Sequence, residues 1–552
     1  MALFAELRRR NVLKVALLYA IASWLILWFV QNTGEVLGMP SWSYVFVVSV
    51  LAIGFPVAML FAWTYEITPS GLRKAIEVDQ TQSIVYKTGQ KLNAAVAVLL
   101  VLGLLAIAGE GLLPKFEFLV PGVPEGDAPI AAKTPPEIRS LVLGNGLKII
   151  VWPDHDIPNV VMYNFVRAGG RNEYPGITGL SHFFEHMMFL GTENLEPGEF
   201  DRIMEAAGGS NNAYTSSDLT VYQDRFPRSA LQIIFEIEAD RAENLQTYAD
   251  AVAAERDVVY SERRSSVEDN NFRKLLEQMQ ATAYVAHPYQ FPVIGWPSDI
   301  ESWTEEDLGN FYRTYYAPNN RTVIFTGDVT PGEIFELAEE YFAPIAAQEP
   351  PPPIRTVEPE QQGMRRIVVE AEAQTPLLHL AFHAGSATDP DTQALNLLLE
   401  ILVGGDSSRL HRLLVEDEQL AVSVGGYQDE GLDPGLAYFY LTLPPGASAA
   451  DVEARVIEEL QRVRSDGVTE AELTKARNIM LASFWRDLAT INGKAAALGR
   501  FEVFNGNYEL LFGVPDALEA ITTEDLRAVA AKVFRVRNMT VGTLVSPPEA
   551  EE

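Results

Sequence analysis

Hydrophobic and polar positions fall into three regimes along this chain. Within residues 1–115, three apolar runs, about 12–30 ("VLKVALLYAIASWLILWFV"), 44–65 and 92–113, each approach the ~20 residues a helix needs to cross ~30 Å of hydrocarbon. Read as core helices, they would have to pack back to back with hardly a polar face between them, so the pattern predicts three transmembrane helices. The first run is too long for a signal-peptide core and no small-x-small cleavage site comes after it, which makes it a retained segment. Arg8, Arg9, Arg10 and Lys14 precede or open the first run, and Arg73, Lys74, Lys87 and Lys91 lie between the second and third. Residues 31–43 carry no Lys or Arg. By the positive-inside rule the N-terminus is cytoplasmic and everything after residue 115 lies on the far side of the membrane.

The second regime is irregular. Residues 116–137 contain the Pro-, Ala- and Gly-rich stretch "VPGVPEGDAPIAAKTPPE", an extended tether, and a second proline cluster, "EPPPPIRTVEPE" at 349–360, divides the rest of the chain into 138–348 and 361–548. In the third regime each of these halves opens with strand-like sequence. "RSLVLGNGLKIIVWP" holds the hairpin signal Asn145-Gly146, and "MRRIVVEAEAQTPLLHLAFHAG" starts the second half. Helical tracts come next: no Gly or Pro occurs between Pro227 and Pro288, and "TQALNLLLEILV" plays the comparable part later. Strands gathered early and helices late predict an α+β fold, two similar α/β-sandwich subdomains preceded by three transmembrane helices. The parallel layout points to a diverged internal duplication.

Charge and composition narrow the function. The net charge is −32, and it is unevenly spread: residues 1–120 hold nine Lys/Arg against seven Asp/Glu, the remainder 33 against 67. So acidic a soluble part argues against nucleic acid as a partner. There are no cysteines, which excludes disulfides and thiolate metal sites and leaves histidine and carboxylate as the strong ligands.

Two of the seven histidines stand four apart in "GLSHFFEHMMFLGT" (179–192), as His182 and His186 with Glu185 beside the second. If 179–190 is helical, both imidazoles lie on one face and reach one ion, Glu185 flanks it, and Gly191 ends the helix. A tetrahedral zinc would still need a third protein ligand and a water. On the pentapeptide alone, a core helix packed through Phe183, Phe184, Met187 and Phe189 stands beside the metal reading. Further on, "AAERDVVYSERRSSVED" places Glu255 and Glu262 seven apart, on one face of a helix, with Glu262 76 residues beyond His186. His379 and His383 are also four apart, but "LLHLAFHAGS" alternates like a strand, so no second metal site is expected.

This combination resembles the pitrilysin/insulinase family of zinc peptidases, in the branch containing mitochondrial processing peptidase and its bacterial relatives. The likeness spans roughly 138–545 and includes "GGSNNAYTSSDLTVYQ", "AHPYQFPVIGWPSDIESWTEEDLGNFYRTYYAPNN" and "TGDVTPGEIFELAEEYFAP". It implies one Zn2+ per chain held by His182, His186 and Glu262, Glu185 as general base, and Glu255 as a carboxylate supporting the ligands. Glu185 would take a proton from the attacking water and pass it to the leaving amine. The resemblance also implies that an edge strand around Asn212, Ala213, Tyr214 and Thr215 pairs through its main chain with an extended peptide, although composition alone equally allows a plain sheet strand there. Phrases such as "ELRRRNVLKVALLYAIASWLILWFV" separately resemble a bacterial N-terminal membrane module found ahead of unrelated soluble domains.

One feature departs from the family. Where a second half would bring an Arg and a Tyr to the substrate, this chain has Val415 and Val422 in "VEDEQLAVSV", and neither valine has a side-chain donor. The chain also has one two-subdomain half where single-chain members have two. The expectation is therefore a zinc endopeptidase subunit anchored in a bacterial inner membrane, its peptidase part periplasmic, acting on peptides or unfolded segments beside a related zinc-less subunit. The rival expectation is a non-catalytic scaffold or assembly subunit of the same descent.

Overall fold

The computed structural model describes residues 138–246 and 249–547, strands β1 (Tyr65–Thr68) and β2 (Gly71–Lys74), and scattered positions between 19 and 55. The chain divides into two units, 1–131 and 132–552. In the first unit, β1 and β2 form an antiparallel hairpin, so the second apolar run overlaps β1 at Tyr65. Within the first two expected membrane helices the described positions, 19, 23, 26, 27, 47, 51 and 55, are helical, while the rest of those runs and the whole of the third fall outside the described residues; among those described, no helix is long and apolar enough to cross a membrane.

The second unit contains two sheets. Strands β3 (Arg139–Val142), β4 (Lys148–Pro153), β5 (Asn159–Val166), β6 (Ser210–Thr215), β7 (Thr220–Pro227) and β8 (Arg321–Gly327) form the first, in the order β3-β4-β8-β5-β7-β6. Strands β9 (Arg365–Glu370), β10 (Leu377–His383), β11 (Ser423–Gln428), β12 (Leu436–Thr442) and β13 (Met539–Val545) form the second, in the order β11-β12-β10-β13-β9. Setting aside β3, the two orders are the same path, with one parallel pair in each: β4 with β8, and β9 with β13. The shared topology agrees with the internal duplication expected from the layout of the chain. The strands do not all come early, however. β8 and β13 return after the helices to lie inside their sheets, in keeping with the burial that β8 has along its whole length around its apolar centre Val323–Phe325.

Helices of the first half are α1 (Leu180–Met187), α2 (Glu199–Ala206), α3 (Leu231–Glu243), α4 (Ala249–Arg263), α5 (Asn271–Ala283), α6 (Pro297–Ser302), α7 (Glu305–Tyr315) and α8 (Pro331–Tyr341). The second half adds α9 (Thr392–Val403), α10 (Ala449–Asp466), α11 (Glu470–Leu488), α12 (Ile491–Asn505), α13 (Val514–Ala520) and α14 (Thr523–Val533). Two helices cross between the halves. From the second half, α12 buries Ile491, Ala495, Leu498 and Val503 against Ile150, Phe165 and Ile324 of the first sheet. In the other direction, Leu275, Met279 and Ala283 of α5 pack on Leu377, Ala381 and Leu544 of the second sheet. Glycine makes both approaches possible: a Cβ on Gly499 would lie 2.0 Å from the Phe165 ring, and one on Gly542 would lie 2.5 Å from Met279. Each sheet is thus completed by its neighbour's helix, and the irregular segment 349–360 separates the halves along the chain but not in packing.

Candidate metal centre

Helix α1 is built from one apolar stripe. Leu180, Phe183, Phe184 and Met187, spaced i, i+3, i+4, i+7, are buried, which turns His182, Glu185 and His186 to the other face. Phe184 stacks on Phe311 (ring centroids 5.6 Å) and Tyr312 (5.8 Å) of α7, and Phe183 lies 4.9 Å from Trp303. The helix start is fixed by backbone. Gly179 has φ +89° and Gly295 φ +87°; a Cβ on the first would meet the Ile294 carbonyl at 2.6 Å, and on the second the Thr178 carbonyl at 2.5 Å. Glu173 then accepts hydrogen bonds from the amides of Gly179 and Ser181, both 2.7 Å, covering donors that the first turn leaves free. Burial pushes the Glu173 carboxyl up to about 8, against the pull of those two amides. The helix stops at Met187 rather than running to 190, because Phe189 and Leu190 donate three residues back, to His186 and Met187, and tighten the last turn.

Helix α4 supplies the carboxylates. Its last residue, Arg263, is buried and donates to Glu277 of α5 (2.8 and 3.0 Å) and to the Gly295 carbonyl (2.8 Å), which seats the end of α4 beside α1. Glu262 Oε2 lies 3.6 Å from His182 Nε2 and 3.4 Å from His186 Nε2. Among the described residues, these three side chains form the group of His and carboxylate whose ligand atoms lie within 4.8 Å of one another. Ligand bonds of about 2.0–2.2 Å at tetrahedral angles put donor atoms about 3.3–3.6 Å apart, so the donor types and both Glu262–histidine spacings fit a zinc ion. His186 Nδ1 lies 2.7 Å from Glu255 and donates to that carboxylate, which directs Nε2 toward the place a metal would take.

The electrostatics result from the crowding. Burial lowers His182 to about 4. For His186 burial also opposes charge, but Glu255 and Glu262 outweigh it and raise the imidazole to about 9. Contact with His186 holds Glu262 below the usual carboxylate range despite partial burial. Burial raises Glu185, partly offset by the Thr215 hydroxyl, which donates to Oε2 at 2.6 Å.

All five predicted residues at the centre, His182, Glu185, His186, Glu255 and Glu262, are brought to one place by α1 and α4. Asn212, Ala213, Tyr214 and Thr215 lie on β6, which is the open edge of the first sheet. Thr215 has a further contact that the sequence did not suggest, its bond to Glu185. Val415 packs partly against the second core, and Val422, 56% exposed, precedes the edge strand β11. Sequence reasoning missed Glu173, the Gly179–Gly295 contact and the Arg263–Glu277 pair. A capping carboxylate six residues before the first free amide has no spacing signature, and the other two join segments far apart in the chain.

Residues 154–295 match the family described as "Insulinase (Peptidase family M16)", and residues 302–480 match "Peptidase M16 inactive domain". The chain is 30% identical over 376 residues to zinc protease PqqE of Helicobacter pylori, spanning 67% of this chain and 84% of that one. It is 25% identical over 425 residues to a protein of Arabidopsis thaliana named as probable mitochondrial-processing peptidase subunit beta, spanning 74% of this chain and 78% of that one. In fold it is similar to the crystal structure of a protease from Helicobacter pylori, with TM-score 0.72 and 29% identity over 74% of this chain and all of that one. It also resembles the periplasmic protease PqqL from Escherichia coli in fold, with TM-score 0.62 and 18% identity over 74% of this chain but 48% of that one. Two matched M16 regions in tandem, together with a relative of 30% identity covered over most of its length, make this chain a member of the insulinase (M16) peptidase family.

Proposed function

We propose that the chain is a membrane-anchored zinc endopeptidase subunit that hydrolyses peptides or unfolded segments. The observation that carries this reading is the convergence of His182, His186 and Glu262 within 4.8 Å, with Glu185 on the same helix face. Those three residues would hold Zn2+, and a bound zinc would supply Lewis acidity toward a peptide carbonyl and toward water. Glu185 acts as the base, taking the proton of the attacking water and delivering it to the leaving amine. Burial raises its carboxyl, and Thr215 aims it. Glu255 fixes the His186 tautomer. The free main-chain edge of Asn212 to Thr215, bonded to β7 on one side only, would take an extended substrate as an added strand.

The remaining parts of the proposal rest on sequence. Residues 1–115 anchor the chain in a bacterial inner membrane with the N-terminus cytoplasmic; 138–348 is the zinc-bearing subdomain and 361–548 its partner subdomain, both periplasmic. A related zinc-less subunit completes the active enzyme. Support for that comes from Val415 and Val422, which offer no side-chain donor, and from the similarity to a protein named as a mitochondrial-processing peptidase subunit. The test compares wild type with Glu185→Gln for zinc content and for turnover of a quenched fluorogenic peptide, each with and without co-purifying protein. Zinc retained with turnover lost is the expected result. Unchanged turnover would remove Glu185 as the base, and zinc-replete wild type without turnover in either setting would favour the scaffold reading. Reporter fusions after residue 120 test the topology.

A further inference from the structure

The loop between β11 and β12 leaves the second subdomain and inserts into the first beside the turn after β6. Its Gly431 sits so close that a Cβ would lie 2.2 Å from the Tyr289 hydroxyl. The Leu432 amide donates to Asp218 (3.3 Å), and the Asp433 amide to Tyr289 (3.1 Å), whose own hydroxyl donates to both oxygens of Asp218 (2.8 and 2.9 Å). At the centre, the Asp433 carboxylate accepts from Arg171 Nε at 3.0 Å, and His287 Nε2 lies 3.1 Å away on another side. Arg171 also lies 3.3 Å from Asp218. Arg171, Asp218 and His287 are largely enclosed, with side-chain exposures of 16%, 5% and 3%.

This cluster leads to the base. The Arg171 amide donates to the Ser217 carbonyl (2.8 Å), and Gly169 approaches the same turn so closely that a Cβ would lie 2.5 Å from the Ser216 carbonyl. Thr215, which aims Glu185, is the residue directly before that turn. Two residues beyond Arg171, Glu173 caps the helix that carries Glu185. Segment 169–173 is therefore pinned to the β6–β7 turn on one side and to the start of α1 on the other, with its arginine held by a carboxylate from the other subdomain.

Resting on the peptidase reading above, we infer that Asp433, delivered by the second subdomain, is a positioning residue for Glu185, acting through Arg171 and the 216–219 turn on Thr215. The second subdomain then shapes the chemistry and does more than wall the site. The experiment uses the zinc-loaded full chain together with its co-purifying subunit. In Asp433→Ala, amide exchange is expected to quicken in peptides covering 210–220 and 179–187, while kcat on a quenched fluorogenic peptide falls about ten- to a hundredfold with KM within about twofold. In a Thr215→Val background the same substitution is expected to add less than about a twofold loss, because the path it acts through is already broken. Asp433→Asn, which keeps the side-chain shape, is run beside it, and the same pattern at smaller amplitude is expected if the alanine variant folds poorly. Unchanged exchange in both segments overturns the inference, as does a kcat loss fully additive with Thr215→Val. Wild type that turns over no peptide with that subunit present would count against the peptidase reading, while the exchange measurement would still decide the coupling.

Discussion

Replacing Glu255 by alanine removes the carboxylate that holds His186 in its ligating tautomer. The bond is 2.7 Å and its carboxylate 15% exposed, so little water is at hand to take over as acceptor. Without it the ring can turn, and its proton can occupy Nε2, the atom that faces Glu262. Loss of such an outer partner lowers metal affinity about 10- to 100-fold, which is about 1.4–2.7 kcal/mol. Glu255→Gln keeps an acceptor without the charge and should fall between the alanine variant and wild type. The assay is competition for Zn2+ against a fluorescent chelator at fixed pH, with the thermal midpoint of the zinc-stripped protein measured alongside to show that each variant folds. Affinity of Glu255→Ala within about twofold of wild type, in a folded protein, would refute the argument that the second imidazole nitrogen needs this anchor.

Other expectations come from packing and charge. Phe184→Ala, at a fully buried position in the aromatic stack behind α1, should cost about 3–5 kcal/mol in urea unfolding and reduce zinc retention with it. Gly295→Ala should destabilise by more than about 1 kcal/mol because of its φ of +87° and the Thr178 carbonyl at 2.5 Å, whereas Gly332→Ala, with nothing near its Cβ, should be neutral or stabilising. Contact with Arg409 holds Glu472 at about 2, against an ordinary value of 4.5. A depressed carboxylate stabilises the fold above its ordinary value and loses that contribution as pH falls through the folded value. Unfolding free energy measured from pH 5 to 2 should therefore drop less in Glu472→Gln than in wild type; parallel curves would contradict the assignment.

How much of the fold and the site was legible in the sequence depended on the range of the interaction. Local periodicity was enough for α9, whose bounds Thr392–Val403 coincide with "TQALNLLLEILV", and for the β3–β4 hairpin around Asn145-Gly146. Helical spacing put His182 and His186 on one face, and Glu255 and Glu262 on another helix; the family resemblance, not the spacing, joined the two. An amphipathic helix announces that one face is buried but not which sheet buries it, so the crossing of α5 and α12 left no mark in the pattern. The return of β8 and β13 to the inside of their sheets was hidden for a related reason, since a short apolar run does not reveal its neighbours. Asp433 was silent because a lone aspartate in a loop usually faces water, and only the fold brings it to Arg171.

The central claim is that three side chains from two helices share one cation. X-ray diffraction at the zinc absorption edge from crystals of the zinc-loaded protein tests it most directly. A single anomalous peak is expected about 2.0–2.2 Å from Nε2 of His182, Nε2 of His186 and a carboxylate oxygen of Glu262. A peak elsewhere, or an ion bound by the histidines with the Glu262 carboxyl turned away, would contradict it.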